Sequence, residues 1–308
     1  MDLAGLAGTA LRRVVPAPRA ADLPAGRIVE LPGRGTTFLV DIPGPPGAPT
    51  LILLHALACT AYLSWFPSLA TLTPHYRVVM FDQRWHGRGI RSDRFSLDDC
   101  ADDVAAVADL LGIDRAIVVG YSMGGLVAQL TWRRQRDRVA GLVLCASAST
   151  FRVHRRERVS LGLLNRAMPV LGGYCRDRAD RIAATLPDCP PGMTAAEMQV
   201  SSWAMHEFRS TSAWAMLAAV GDIGGFDSGP WAPEIDVPTS VVVMTGDHMI
   251  PTQRQRDLAA LIPTAVTFEA PGSHAGLVLG ATEFVPVLAE ACASVSSRLR
   301  RRRRVANG

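Results

Sequence analysis

Not one lysine occurs among the 308 residues; all 32 basic side chains are arginine. Schiff-base catalysis, which needs a lysine amine, is thereby excluded. Aromatic residues are scarce at 6%, and no apolar run comes near the ~20 residues that span a bilayer, so a soluble protein is expected. The N-terminal stretch carries its arginines after its small apolar segment rather than before it, the reverse of a secretory signal. A cytoplasmic location is the expectation. The six cysteines (Cys59, Cys100, Cys145, Cys175, Cys189 and Cys292) contain no C-x-x-C pair, which leaves neither a zinc knuckle nor a redox motif. Reduced and mostly buried thiols are expected instead.

What the chain does have is material for a core, since 48% of it is apolar and 19% charged, too much of the first and too little of the second for disorder. The formal charge of +4 is misleading. Arg298 and the five consecutive arginines at 300–304 supply six of the 32 basic residues, leaving 26 against 28 acids in the body. No basic face is left there for nucleic acid. The arginine run at 297–308 is expected to be a solvent-exposed tail, dispensable for chemistry and at most a weak contact for anionic surfaces.

After a Pro/Ala-rich leader over 1–26, residues 27–42 read as two short strands around Pro32-Gly33-Arg34-Gly35. Continuous apolar runs follow at Thr50–Leu54, Arg77–Phe81, 116–119, Val139–Cys145 and Thr239–Met244, the pattern of parallel strands buried on both faces. Between them lie helical periods. The clearest is Leu97, Cys100, Ala101, Val104, Val107, Ala108 and Leu111, with Ser96 and Asp99 as an N-terminal cap and Gly112 as the stop. Strand and helix alternating in this way predict an α/β fold with a sheet covered on both faces. The alternation fails over 150–236, which holds five of the ten methionines and three of the six tryptophans and has a capping box at 194–197. A helical insertion is expected there, its Met and Trp serving either as core or as substrate contacts.

The sharpest local signal is Gly120-Tyr121-Ser122-Met123-Gly124-Gly125, directly after one apolar run and before a helical stretch to Gln135. A strand that doubles back into a helix needs small residues two before and two after the apex, and the apex serine then projects its hydroxyl at a helix N-terminus. Ser122 is the candidate nucleophile. A serine needs a base and an orienting acid. His274 lies in the small-residue loop Pro271-Gly272-Ser273-His274-Ala275-Gly276 after the last expected strand at 266–269, and Asp247 lies just beyond the run that ends at Met244. Asp222 and Asp227 are alternative acids without a strand before them. His86 reads as a loop brace and His248 as a bystander of Asp247, with no third ligand near it for a metal.

Taken with Leu54-His55-Ala56-Leu57, Asp82-Gln83-Arg84-Trp85-His86-Gly87 and Asp247-x-x-Ile250-Pro251, these motifs make the chain resemble an α/β-hydrolase-fold serine hydrolase from about residue 27 to 296. The resemblance implies a mostly parallel eight-stranded sheet, a core of 27–149 and 237–296, and a helical cap at 150–236 inserted after the sixth strand. It also implies an oxyanion hole made by the Leu57 and Met123 N–H groups, a structural role for His55, and no cofactor or metal. Two departures stand out, Ala56 and Trp85 where the family usually has glycine. If position 56 needs a positive φ, Ala56 is strained there by about 1 kcal/mol.

The function expected is hydrolysis of a carboxylic ester, lactone or thioester with a fairly apolar acyl group, substrate contacts coming from Ala56, Trp85, Tyr121, Trp203 and Trp214. Family members with an aspartate nucleophile, dehalogenases and epoxide hydrolases, are disfavoured by Ser122. A non-hydrolytic enzyme of the same fold (cyclase, lyase, acyltransferase or cofactor-free perhydrolase) and a ligand sensor are the alternatives. The partner expected is a small molecule.

Overall fold

The computed structural model describes residues 23–151, 207 and 219–306. Residues 1–22 of the leader, the capping box at 194–197, Cys175, Cys189, Trp203 and Trp214 lie outside the described residues. Among the described residues eight strands form one sheet in the order β1-β2-β4-β3-β5-β6-β7-β8. β1 (Arg27–Leu31) and β2 (Gly35–Ile42) form the expected hairpin, and β2 is also antiparallel to β4 (Arg77–Phe81). Every other pairing, through β3 (Thr50–Leu54), β5 (Ala116–Tyr121), β6 (Val139–Cys145), β7 (Thr239–Met244) and β8 (Ala265–Ala270), is parallel. β5, β6 and β7 are buried at every position, which is why their sequences are continuous apolar runs rather than alternating ones.

Two apolar cores result, one on each face, and successive residues of β5 divide between them: Val118 points into one and Ile117 and Val119 into the other. The first core is closed by α2 (Leu97–Leu110) and α3 (Met123–Arg134), the second by α1 (Ala61–Leu72) and α6 (Ala281–Ala306). α4 (Thr252–Leu261) follows β7 and the single turn α5 (Gly276–Leu279) follows β8. α2 starts where its sequence said. Ser96 Oγ accepts from Asp99 N at 3.3 Å, Asp222 Oδ2 accepts from Leu97 N at 2.6 Å, and Gly112 leaves the helix at φ +61°. Asp222 is thereby a helix cap rather than a candidate acid.

The inserted stretch leaves after β6 and returns before β7. Its two described ends are tied together by an antiparallel bridge between Thr150 and Asp227 and by Ser228 N donating to Ser149 O at 2.7 Å.

At the C-terminus the expected division between a core ending at 296 and an arginine-rich tail at 297–308 falls inside α6, which runs on to Ala306. Arg298 is built into the body, donating to Thr264 O and Thr239 O, both at 2.7 Å, and to Ser240 Oγ at 3.1 Å. Arg300, Arg301, Arg302 and Arg304 are exposed as expected.

Candidate active site

The parallel strands β5, β7 and β8 end on the same edge of the sheet, and the three candidate side chains sit just past those ends. Ser122 has φ +53° and ψ −115°, a region costly for any residue with a Cβ. The flanking glycines make the turn possible. A Cβ on Gly120 would lie 2.1 Å from Gly124 O, and one on Gly124 would lie 2.2 Å from Leu54 O. The strain has a visible consequence. Ser122 is the N-cap of α3 yet makes no capping hydrogen bond with its side chain, so its hydroxyl is turned from the helix amides toward the loops.

That hydroxyl meets His274, with Oγ 2.9 Å from Nε2, and His274 Nδ1 lies 2.7 Å from Asp247 Oδ2. Because the carboxylate can only accept, Nδ1 carries the proton and Nε2 faces Ser122 with its lone pair. Asp247 is held in turn. Its Oδ1 accepts from Met249 N at 2.8 Å and Ile250 N at 2.9 Å, and its Oδ2 accepts from Gln255 Nε2 at 3.1 Å. Gln255, fully buried on α4, has its amide orientation fixed because Oε1 accepts from Met244 N at 2.9 Å. The acid and histidine loops also bond directly, Gly246 N to Gly272 O at 2.9 Å. Of the competing residues, His248 is exposed and Asp227 accepts from Gly229 N.

Met123 is the first residue of α3, so its N–H has no partner inside the helix. The Leu57 N–H stands in the turn between β3 and α1. His55 anchors that turn. Its Nε2 accepts from Gln83 N at 2.8 Å, which puts the proton on Nδ1, and Nδ1 donates to Ala56 O at 2.8 Å. Burial lowers the His55 pKa to about 4, so the ring is neutral and engaged at both nitrogens.

A family model described as the alpha/beta hydrolase fold matches residues 49–170. The enol-lactonase structure from Burkholderia xenovorans LB400 superimposes with a TM-score of 0.66 at 25% identity, covering 86% of this chain and 99% of that one. The chain has the alpha/beta hydrolase fold. Among curated proteins it is similar to 3-oxoadipate enol-lactonase 1 of Acinetobacter baylyi, 34% identical over 116 residues that make up 38% of this chain and 43% of that enzyme. It is also similar to the pimeloyl-[acyl-carrier protein] methyl ester esterase of Chromobacterium violaceum, 29% identical over 225 residues, 71% of this chain and 85% of that one.

Within this fold the two departures, Ala56 and Trp85, differ in backbone conformation. Ala56 is not among the positive-φ residues; Ala58 is, at +64°, and so is Trp85, at +65°. The strain lies two residues further along the oxyanion-side turn than expected. Trp85 is 3% exposed and its indole is part of the core under α2, with Nε1 donating to Ser92 O and Ser92 Oγ, each at 3.1 Å. These bonds make it a brace of the 82–92 loop. Tyr121 is likewise fully buried, its OH donating to His274 O at 2.9 Å and its ring 5.7 Å from the His274 ring, so it supports the histidine loop rather than lining a cleft. His86 braces its own loop by donating from Nδ1 to Arg84 O at 2.8 Å. Gln255 had no signal in the sequence beyond its position on the helix that follows Asp247.

Proposed function

We propose that the protein is a serine hydrolase that cleaves a carboxylic ester, lactone or thioester through an acyl-enzyme on Ser122. The observation that carries this reading is the unbroken hydrogen-bonded chain from Ser122 Oγ through His274 to Asp247, on an edge where the hydroxyl is free of its helix. Ser122 Oγ attacks the carbonyl carbon while His274 Nε2 takes its proton. The imidazolium that forms is stabilised by Asp247, whose other oxygen is occupied by two backbone N–H groups. The Met123 and Leu57 N–H groups receive the carbonyl oxygen as it gains charge. Collapse of the tetrahedral intermediate breaks the acyl–oxygen or acyl–sulfur bond, and His274 returns the proton to the leaving alcohol or thiol. Water then attacks the acyl-Ser122 ester with His274 again as base, releasing acid and free serine. The names of the relatives, an enol-lactonase and a methyl ester esterase, support an ester-type bond, and a nearly neutral body favours an uncharged acyl group.

Kinetics of variants on a small chromogenic ester test it. Ser122→Ala and His274→Ala should each lower kcat by orders of magnitude, roughly a million-fold in a fully assembled site, and the double variant should be little worse than either. Asp247→Asn should retain more activity than either. Ser122→Ala with more than a few per cent of the original rate would rule out the acyl-enzyme.

A further inference from the structure

Glu207 lies in the inserted stretch, far in sequence from the nucleophile, yet it is 4% exposed and reaches the turn that carries the Leu57 N–H. Thr60 Oγ1 donates a hydrogen bond to Glu207 Oε2. The same Thr60 oxygen accepts from Leu63 N at 3.1 Å as the N-cap of α1. With its lone pair engaged by the helix, the hydroxyl has its proton directed at the carboxylate. Thr60 stands three residues after Leu57, so this contact closes the exit of the turn as His55 and Gln83 close its entry. A third clamp is Asp82, whose Oδ1 accepts from Ala61 N at 2.8 Å and whose Oδ2 accepts from Arg88 N at 2.9 Å.

A buried carboxylate is an expensive way to fill this space. Burial and the neighbouring Asp82 push the Glu207 carboxyl up from its ordinary pKa, against the hydrogen bond from Thr60 and the charge of Arg88. An apolar side chain of similar size would pack there without that cost. What an apolar residue would lack is a directional acceptor for Thr60.

We propose that Glu207 is a positioning residue: through Thr60 it fixes the direction of the Leu57 N–H, and so ties the inserted stretch to transition-state stabilisation at Ser122. This rests on the serine-hydrolase reading above. A donor that works on the transition state should affect kcat and not KM.

The test is the rate at which a fluorophosphonate labels Ser122, with kcat and KM for a small chromogenic ester measured alongside. Glu207→Ala should slow labelling and kcat roughly ten- to hundredfold, as expected of a displaced oxyanion donor, with KM nearly unchanged. Glu207→Gln keeps an acceptor oxygen and should recover most of the loss. Thr60→Val should match Glu207→Ala, the pair together should be no worse than either, and Thr60→Ser should recover. If Glu207→Ala does not fold, the comparison of Thr60→Val with Thr60→Ser carries the same question. A folded Glu207→Ala labelled at the original rate would overturn the proposal, as would a raised KM with unchanged kcat or no recovery in Glu207→Gln. Absence of any Ser122 labelling in the unaltered protein would instead overturn the nucleophile reading and this proposal with it, which keeps the two failures apart.

Discussion

Trp85 shows how a single residue can serve two opposed terms. Its backbone is held at φ +65°, where a side chain costs about 1–2 kcal/mol, while its indole is buried in the core beside Phe95, the ring centroids 6.3 Å apart. Loss of a buried aromatic typically costs about 3–5 kcal/mol. Trp85→Gly should therefore relieve the backbone and still lower stability by roughly 1–4 kcal/mol, read from urea unfolding; a stability unchanged or raised would show that the indole contributes little. At this scale the sequence was informative wherever chemistry demands a particular residue type. Ser122, Asp247 and His274 each sit where motif and strand end together require, and the structure brings them into one hydrogen-bonded chain. Gln255 and Glu207 were not legible. A glutamine on a helix and a glutamate in an insertion acquire meaning only from long-range contacts, to Asp247 in one case and to Thr60 in the other.

Among the elements, α6 differs from its sequence reading at one side chain. Five consecutive arginines suggest a solvated tail, but Arg298 precedes them and its guanidinium fans across three oxygens at the start of β7 and β8. Hydrogen bonds to a charged group are worth about 1.5–3 kcal/mol each at most, and less where water competes. Truncation after Ser296 should lower the unfolding free energy by roughly 2 kcal/mol, whereas truncation after Leu299, which keeps Arg298, should leave it nearly unchanged. Equal stability of the two truncated proteins would assign the contacts no energetic role. Elsewhere the element boundaries followed from local chemistry. α2 begins at its serine cap and ends two residues before a left-handed glycine, and the runs buried on both faces became the central parallel strands. A further tie invisible in the sequence holds three of these elements together: Arg34 of the β1–β2 turn and Arg84 after β4 both bind the buried Asp103 of α2, each through Nε at 2.5 Å.

For the whole molecule, the sheet order places the ends of β5, β7 and β8 on one edge, and the buried histidines on that edge set a limit in acid. Burial holds the pKa of His55 at about 4 and that of His86 at about 3, against an ordinary 6.5. For His86 the neighbouring His55 adds to the effect. In both cases the native pKa lies below the unfolded one, so the unfolded chain binds protons that the native state refuses. Stability is then complete above about pH 6.5 and falls as pH is lowered, at about 1.4 kcal/mol per pH unit for each histidine, until the native rings protonate as well. Urea unfolding between pH 7 and 4 should show this decline, and His86→Phe should roughly halve its slope, leaving the His55 share; a flat profile in the unaltered protein would contradict the assignment of both rings as buried and neutral. No helix among the described residues is long and apolar enough to cross a membrane. The parallel sheet was legible because its strands must be apolar on both faces, and the site because loops converge at their ends. Most of the stretch expected as a cap, with Trp203 and Trp214, falls outside the described residues.

The central claim is that Ser122 carries the acyl group. Rapid acid quench of the protein during turnover of an activated ester, followed by intact-mass measurement and peptide mapping, tests it directly. One added acyl mass located on Ser122, absent in Ser122→Ala and accumulating faster than it decays, is the expected result. Turnover of the same ester with no adduct at Ser122, or with the adduct on another side chain, would contradict it.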